Sequence, residues 1–158
     1  MRGLERPLAL VGALSLAAIG CGGPGATASP TPTGTAGATT VNVTLAEWSI
    51  GTSVSSAKAG QVKFVAANQG PDDKHELVVI KTDLSLIDLP TDSTGKVDEE
   101  GAGIEVIGEI EEFEVGQTQE ATFPLTSGAY VLICNIYDET EQEAHYQEGM
   151  RTSFTVTP

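Results

Sequence analysis

The chain has 158 residues, and the first 40 lack the apolar patterning of a core, which leaves about 118 for one modest folded domain and too few for two. Eight Lys and Arg against 22 Asp and Glu give a formal charge of −14, which excludes a nucleic-acid partner held by a basic footprint and favours a cationic partner over an anionic one. Hydrophobic residues make up 40% although aromatics are only 5%, and Val, Ile and Thr recur in short runs, a composition that excludes wholesale disorder and argues for strands.

Arg2 and Arg6 precede an apolar run of 12 residues, Leu8 to Ile19, broken only by Gly12 and Ser15. A bilayer-spanning helix needs about 20 residues, so the run fits the hydrophobic part of an export signal instead. It ends in Ala18-Ile19-Gly20-Cys21, which resembles the lipobox of bacterial lipoproteins, with Ala18 where those signals most often carry Leu. The resemblance implies a signal peptide over residues 1–20 and a bacterial membrane anchor through a lipidated Cys21. An ordinary secretory signal is the alternative, and either places the protein outside the cytoplasm. With Cys21 lipidated, Cys134 has no disulfide partner, and a lone thiol in an oxidising compartment has to be buried or occupied.

From Gly22 to Thr40 the chain contains only Gly, Pro, Ala, Ser and Thr, so residues 21–40 read as a flexible tether and residues 41–158 as the folded domain. Val41, Val43 and Leu45 alternate with Asn42, Thr44 and Ala46, a period-two pattern for a first strand that Trp48 and Ile50 continue. Trp48 reads as a core anchor in preference to a binding residue. A turn at Ala59-Gly60-Gln61 feeds a strand over Val62 to Ala67 with Val62, Phe64 and Ala66 on one face, followed by an exposed loop at 68–73. The next strand, His75 to Ile80, is continuously apolar from Leu77 onward, as in a strand covered on both sides, and His75 sits at its mouth.

Residues 82–103 carry Pro90, Gly95, Gly101 and Gly103 and read as a long excursion with one short helical turn around Leu84 to Leu89. Strands follow at Ile104 to Ile110 and Gln119 to Phe123, separated by the acidic Glu111-Glu112-Phe113-Glu114. Eight acids and no base lie between Asp98 and Glu114, a solvated face or a docking surface for a basic partner. Ser127-Gly128 turns into a strand over Ala129 to Cys134, and Ser153 to Val156 closes the chain. These elements sum to an all-β sandwich or barrel of about seven or eight strands.

His75, Cys134, His145 and Met150 belong to the rarest types in the domain, and each falls at a strand mouth or in the loop between the last two strands. Taken singly, each has an ordinary explanation as a loop-edge histidine, a buried thiol or a core filler. Together, two imidazoles, a thiolate and a thioether suit copper, which accepts soft sulfur and imidazole in one cage. Two histidines and a cysteine make a near-trigonal plane, and a weaker axial methionine lets that cage hold both copper oxidation states with little movement.

The run Gly128-Ala129-Tyr130-Val131-Leu132-Ile133-Cys134-Asn135, followed by His145-Tyr146-Gln147-Glu148-Gly149-Met150 and a Thr-rich strand, resembles the cupredoxins, the small blue copper proteins that include plastocyanin and azurin. His75-Glu76-Leu77-Val78-Val79 looks like the family's other histidine segment. The resemblance implies a Greek-key β-sandwich, one copper ion held by His75, Cys134, His145 and Met150, and single-electron transfer between extracytoplasmic redox partners without bond-making chemistry. It also implies that electrons leave through the solvent-edge imidazole of His145. No heptad or apolar patch points to self-association, so the head domain reads as a monomer.

Two departures stand out. Eleven positions separate Cys134 from His145, and the stretch Ile136 to Ala144 with Asp138, Glu139, Glu141 and Glu143 either raises an acidic flap beside the histidine or loosens the cage. Glu76 stands where many relatives have an Asn bracing the cysteine loop, which leaves that brace to Asn135 or Asn68. Copper delivery or sequestration, a zinc site on Cys134, His75 and His145, and a metal-free binding module remain as alternatives.

Overall fold

The computed structural model describes residues 37–158; the expected signal peptide, Cys21 and the tether up to residue 36 lie outside the described residues. In chain order the elements are β1 (Thr39–Ala46), β2 (Ser49–Thr52), β3 (Ser56–Lys58), β4 (Gly60–Asn68), β5 (His75–Lys81), β6 (Glu105–Phe113), β7 (Thr118–Leu125), β8 (Gly128–Ile133), β9 (Tyr137–Asp138), β10 (Glu143–Ala144), the single helical turn α1 (His145–Glu148) and β11 (Arg151–Thr157). They form a four-stranded sheet ordered β2-β1-β4-β7, a five-stranded sheet ordered β3-β11-β8-β5-β6, and a separate β9-β10 ribbon. β1 runs parallel to β4 and β3 parallel to β11, and the other pairings are antiparallel.

The alternation along β1 and β4 decides which face is buried. Val41, Val43 and Leu45 from β1 and Val62, Phe64 and Ala66 from β4 meet Leu77, Val79, Leu132 and Phe154 of the other sheet in one interlayer core. Phe64 anchors it, with its ring edge-on to Phe154 at a centroid distance of 5.7 Å. Expectation and structure part at residues 47–48, where the chain turns back, so that Ile50 pairs across a hairpin with Leu45 instead of prolonging β1.

The continuous apolar run of β5 is covered on both sides, as its sequence implies. Leu77 and Val79 face the interlayer core, while Val78 and Ile80 join Val131, Ile133, Leu89, Val97 and Tyr146 in a second cluster on the outer face. The excursion at 82–104 supplies that cover. It contains no helical turn at 84–89, where a turn closed by Asp88 N–H on Ser85 O stands instead. Two side chains fasten it. The Tyr146 hydroxyl donates to Leu86 O at 3.0 Å and accepts from Leu89 N–H at 3.3 Å. The Asn135 carboxamide accepts from Val97 N–H at 2.6 Å and donates to Val97 O at 3.0 Å and to Glu99 Oε1 at 2.9 Å. Of the acidic stretch, Glu105, Glu109, Glu111, Glu112 and Glu114 are exposed, and β6 extends through it to a buried Phe113.

The Tyr146 hydroxyl thus serves two backbone groups, and Leu89 N–H is left without that acceptor when it is removed. Tyr146→Phe is expected to lower stability by about 1–3 kcal/mol in urea denaturation, with amide hydrogen exchange at Leu89 rising more than in β5.

Candidate metal centre

Strand register assembles the site. β5 and β8 pair antiparallel with Val78 opposite Ile133, which sets His75, the first residue of β5, beside Cys134, the residue after β8. β8 and β11 pair with Ile133 opposite Arg151, which puts Met150 across from Cys134, and the Cys134 N–H donates to Met150 O at 3.0 Å. The intervening loop closes through His145 N–H on Ile136 O and Met150 N–H on His145 O, both at 2.9 Å. Gly149 in that loop has φ +130°, and a Cβ there would stand 2.8 Å from Trp48 O, so only glycine lets the loop pack against the β1–β2 turn.

His75, Cys134 and His145 bring one ligand atom each into a common cluster, all three buried. Cys134 Sγ lies 3.4 Å from His145 Nδ1 and 3.9 Å from His75 Nδ1, and the two Nδ1 atoms are 3.3 Å apart. A trigonal set with metal–nitrogen bonds near 2.0 Å and metal–sulfur bonds near 2.3 Å has edges of about 3.5–3.8 Å. The triangle therefore has the size of a metal's ligand plane. The Met150 side chain is fully buried in the same core cluster as Cys134.

Burial governs the electrostatics. It pushes the Cys134 thiol up to about 12, against the pull of the Glu76 and Ile136 N–H groups. It also pushes His75 down to about 4, aided by repulsion from His145 and opposed by Glu47, and it lowers His145, which Asp73, Asp138 and Glu47 pull the other way. At neutral pH the metal-free site holds two neutral imidazoles and a neutral thiol. Two neutral rings whose Nδ1 atoms face each other share at most one hydrogen bond, and the donor set becomes coherent around a cation.

A scan of protein-family models and a search of curated proteins found no match to the sequence. Solved structures do match. A dithionite-reduced auracyanin from Roseiflexus castenholzii is 19% identical, over 77% of this chain and 98% of that one, with a TM-score of 0.53. Auracyanin B is 20% identical over 77% and 90%, with a TM-score of 0.52. Auracyanin A of Chloroflexus aurantiacus, described as a blue copper protein, is 17% identical over 77% and 100%, with a TM-score of 0.52. The chain has the cupredoxin fold.

Within that fold the two departures resolve. The brace at the cysteine loop is present and Glu76 makes it: its Oε1 accepts from Asn135 N–H at 2.9 Å, and its own N–H points at Cys134 Sγ at 3.5 Å. Asn135 turns its side chain outward to Val97 and Glu99, and Asn68 instead ties Asp73 O and Phe113 O. The long loop forms the β9–β10 ribbon, whose turn is held by Asp138 accepting from Thr140 and Glu141 N–H, and the Cys134–His145 edge at 3.4 Å is shorter than the 3.9 Å from Cys134 to His75. Expectation fails at His145 itself. The residue is 1% exposed and not at a solvent edge, and Trp48 stands edge-on to its ring at 5.1 Å. Trp48 is thus half-buried at the site as well as packed on the core.

Glu47 was not legible as a site residue. Its carboxylate lies 3.5 Å from His75 Nε2, a neighbourhood made by the turn after β1 and by no spacing in the chain.

Burial also pushes Glu76 up to about 7 from 4.5, with Glu109 adding to the shift and the Asn135 N–H opposing it. A raised carboxyl contributes stability below its unfolded value that is lost as pH rises through 7; the depressed His75 contributes stability above 6.5 that is lost as pH falls toward 4. The two nearly cancel. Glu76→Gln keeps the oxygen that braces Asn135 and removes one partner of this balance. Relative to wild type, the metal-free variant is expected to gain roughly 3 kcal/mol between pH 4.5 and 7 in urea denaturation, and a pH-independent difference would contradict the assigned burial.

Proposed function

We propose that this is an exported, membrane-tethered mononuclear copper protein that carries single electrons between redox partners, with no bond-making chemistry. The observation that supports it best is the buried triangle of two Nδ1 atoms and one Sγ with edges of 3.3, 3.4 and 3.9 Å, closed by the backbone of a buried methionine. The likeness to auracyanin A, a blue copper protein, supports the same reading. Bound there, copper supplies reversible one-electron exchange. The chain's own part is to hold the donors still. His75 and Cys134 sit at the ends of paired strands, and His145 is clamped through both its backbone N–H and C=O. Burial excludes water from all of them.

The thiol gives up its proton when it becomes a ligand, whereas the histidines are already neutral. Copper uptake at pH 7 is expected to release about one proton per ion, with affinity falling about tenfold per pH unit toward acid; a pH-stat titration that finds no release would exclude Cys134 as a ligand. Asp72, Asp73, Glu112, Glu114, Asp138 and Glu139, with Lys74 among them, line a cleft next to the buried His145, and this excess of acids supports a partner with a basic face. Attraction of that kind speeds encounter and is screened by salt.

The deciding experiment is a visible and electron-spin-resonance spectrum of the full-length protein with one equivalent of copper(II), followed by reductive titration. Intense absorption that bleaches and returns, with a narrow copper hyperfine pattern, is the expected result. A pale protein, or one that releases copper on reduction, would shift the reading to copper handling or to a metal-free module. Cys134→Ser is expected to abolish the colour, and Met150→Leu to retain it while shifting the reduction potential; equal loss of both properties in the Met150 variant would refute its weak axial role.

A further inference from the structure

Among the described residues, two buried side-chain nitrogen or oxygen atoms have no hydrogen-bond partner, and they are His75 Nε2 and Glu47 Oε2. They sit on neighbouring side chains, whose nearest approach is made by the other carboxylate oxygen, Glu47 Oε1, at 3.5 Å from His75 Nε2. An unpaired buried polar atom is rare and costs on the order of 1–3 kcal/mol, so two at one place call for a cause.

The carboxylate is not there by accident of packing. Its Oε1 accepts from Asp73 N–H at 2.7 Å and Asp72 N–H at 3.2 Å, and Glu47 N–H donates to Gly70 O at 3.3 Å. The β1–β2 turn thereby grips the loop that leads into β5, and the gripped oxygen faces the imidazole at the start of that strand. Two backbone N–H groups donating to one carboxylate oxygen favour its charged form. An anion is therefore fixed behind His75, on the side away from Cys134 and His145.

A ring that ligates through Nδ1 must carry its proton on Nε2, and that proton needs an acceptor. The 3.5 Å contact is more than half an ångström longer than a charge-assisted hydrogen bond, which spans about 2.7–2.9 Å, so Nε2 has its acceptor as a neighbour and not yet as a bonded partner. We propose that Glu47 is the positioning residue of the metal centre, the acceptor for His75 Nε2–H that selects the tautomer with Nδ1 free for the metal and places a fixed negative charge next to that ligand. The proposal rests on the reading of His75 as a metal ligand. It leaves Glu47 with no contact to the metal.

The test uses full-length protein and two variants, Glu47→Ala, which removes the acceptor, and Glu47→Gln, which keeps an oxygen for the Asp72 and Asp73 amides and removes the charge. In the metal-free state, long-range proton–nitrogen NMR is expected to show His75 protonated on Nε2 in wild type and a mixture of tautomers in Glu47→Ala. Copper(II) affinity by chelator competition is expected to fall about 10- to 100-fold in Glu47→Ala. In Glu47→Gln, copper(II) is expected to weaken more than copper(I). A tenfold difference between the two ions raises the potential by about 59 mV. An unchanged His75 tautomer in Glu47→Ala, or an unchanged potential and affinity in Glu47→Gln, overturns the proposal. Wild-type protein that binds no copper overturns the metal reading instead, and the tautomer measurement still decides whether Glu47 pairs with His75.

Discussion

The antiparallel registers that set Val78 opposite Ile133 and Ile133 opposite Arg151 hold the rest of this molecule to its purpose. They bring the mouth of β5, the end of β8 and the start of β11 to one corner of the five-stranded sheet. A slip of one residue would turn every side chain of these strands to the opposite face, and would move Leu77, Val79 and Leu132 out of the interlayer core. Packing of the core and placement of the ligand-type residues are therefore one constraint. The backbone bond from Cys134 N–H to Met150 O is the last rung of that ladder and the first member of the site.

Burial is what the corner is built to tolerate. A thiol and two imidazoles out of water are cheap only while they are neutral, and the protein keeps them so, with the thiol pushed up and both histidines pushed down. The acids that crowd the region sit outside this neutral knot. Asp138 is tied to the backbone N–H groups of its own turn, and Glu47 to those of Asp72 and Asp73. Negative charge is thus held close to the donors by geometry instead of by pairing with Lys or Arg, which suits a site meant to receive a cation.

The departures from the usual cupredoxin pattern are absorbed locally. Glu76 makes through a carboxylate the bond to Asn135 N–H expected of an amide, which frees the Asn135 side chain to bind the 97–99 segment of the excursion. The long loop after Cys134 folds back as a two-stranded ribbon without opening the ligand triangle. Its consequence lies elsewhere: His145 is covered, with Trp48 against its ring.

Much of this was legible beforehand because it depends on local pattern. Period-two alternation in Val41–Leu45 and Val62–Ala66 reports a half-buried strand, and the unbroken apolar run of β5 reports cover on both faces, since side chains on a strand point alternately whatever the fold. The scarcity of His, Cys and Met, and their position at strand ends, likewise marked His75, Cys134, His145 and Met150 before any strand was paired. What the chain order does not carry is contact between distant segments. The turn at Glu47-Trp48 reads as more strand because its apolar residues keep the alternation going, and only pairing of β1 with both β2 and β4 shows the reversal that presents Glu47 to His75 and Trp48 to His145. The burial of His145 is absent from the sequence for the same reason: burial is a property of what other parts of the chain place over a residue, and the tertiary structure alone supplies that cover.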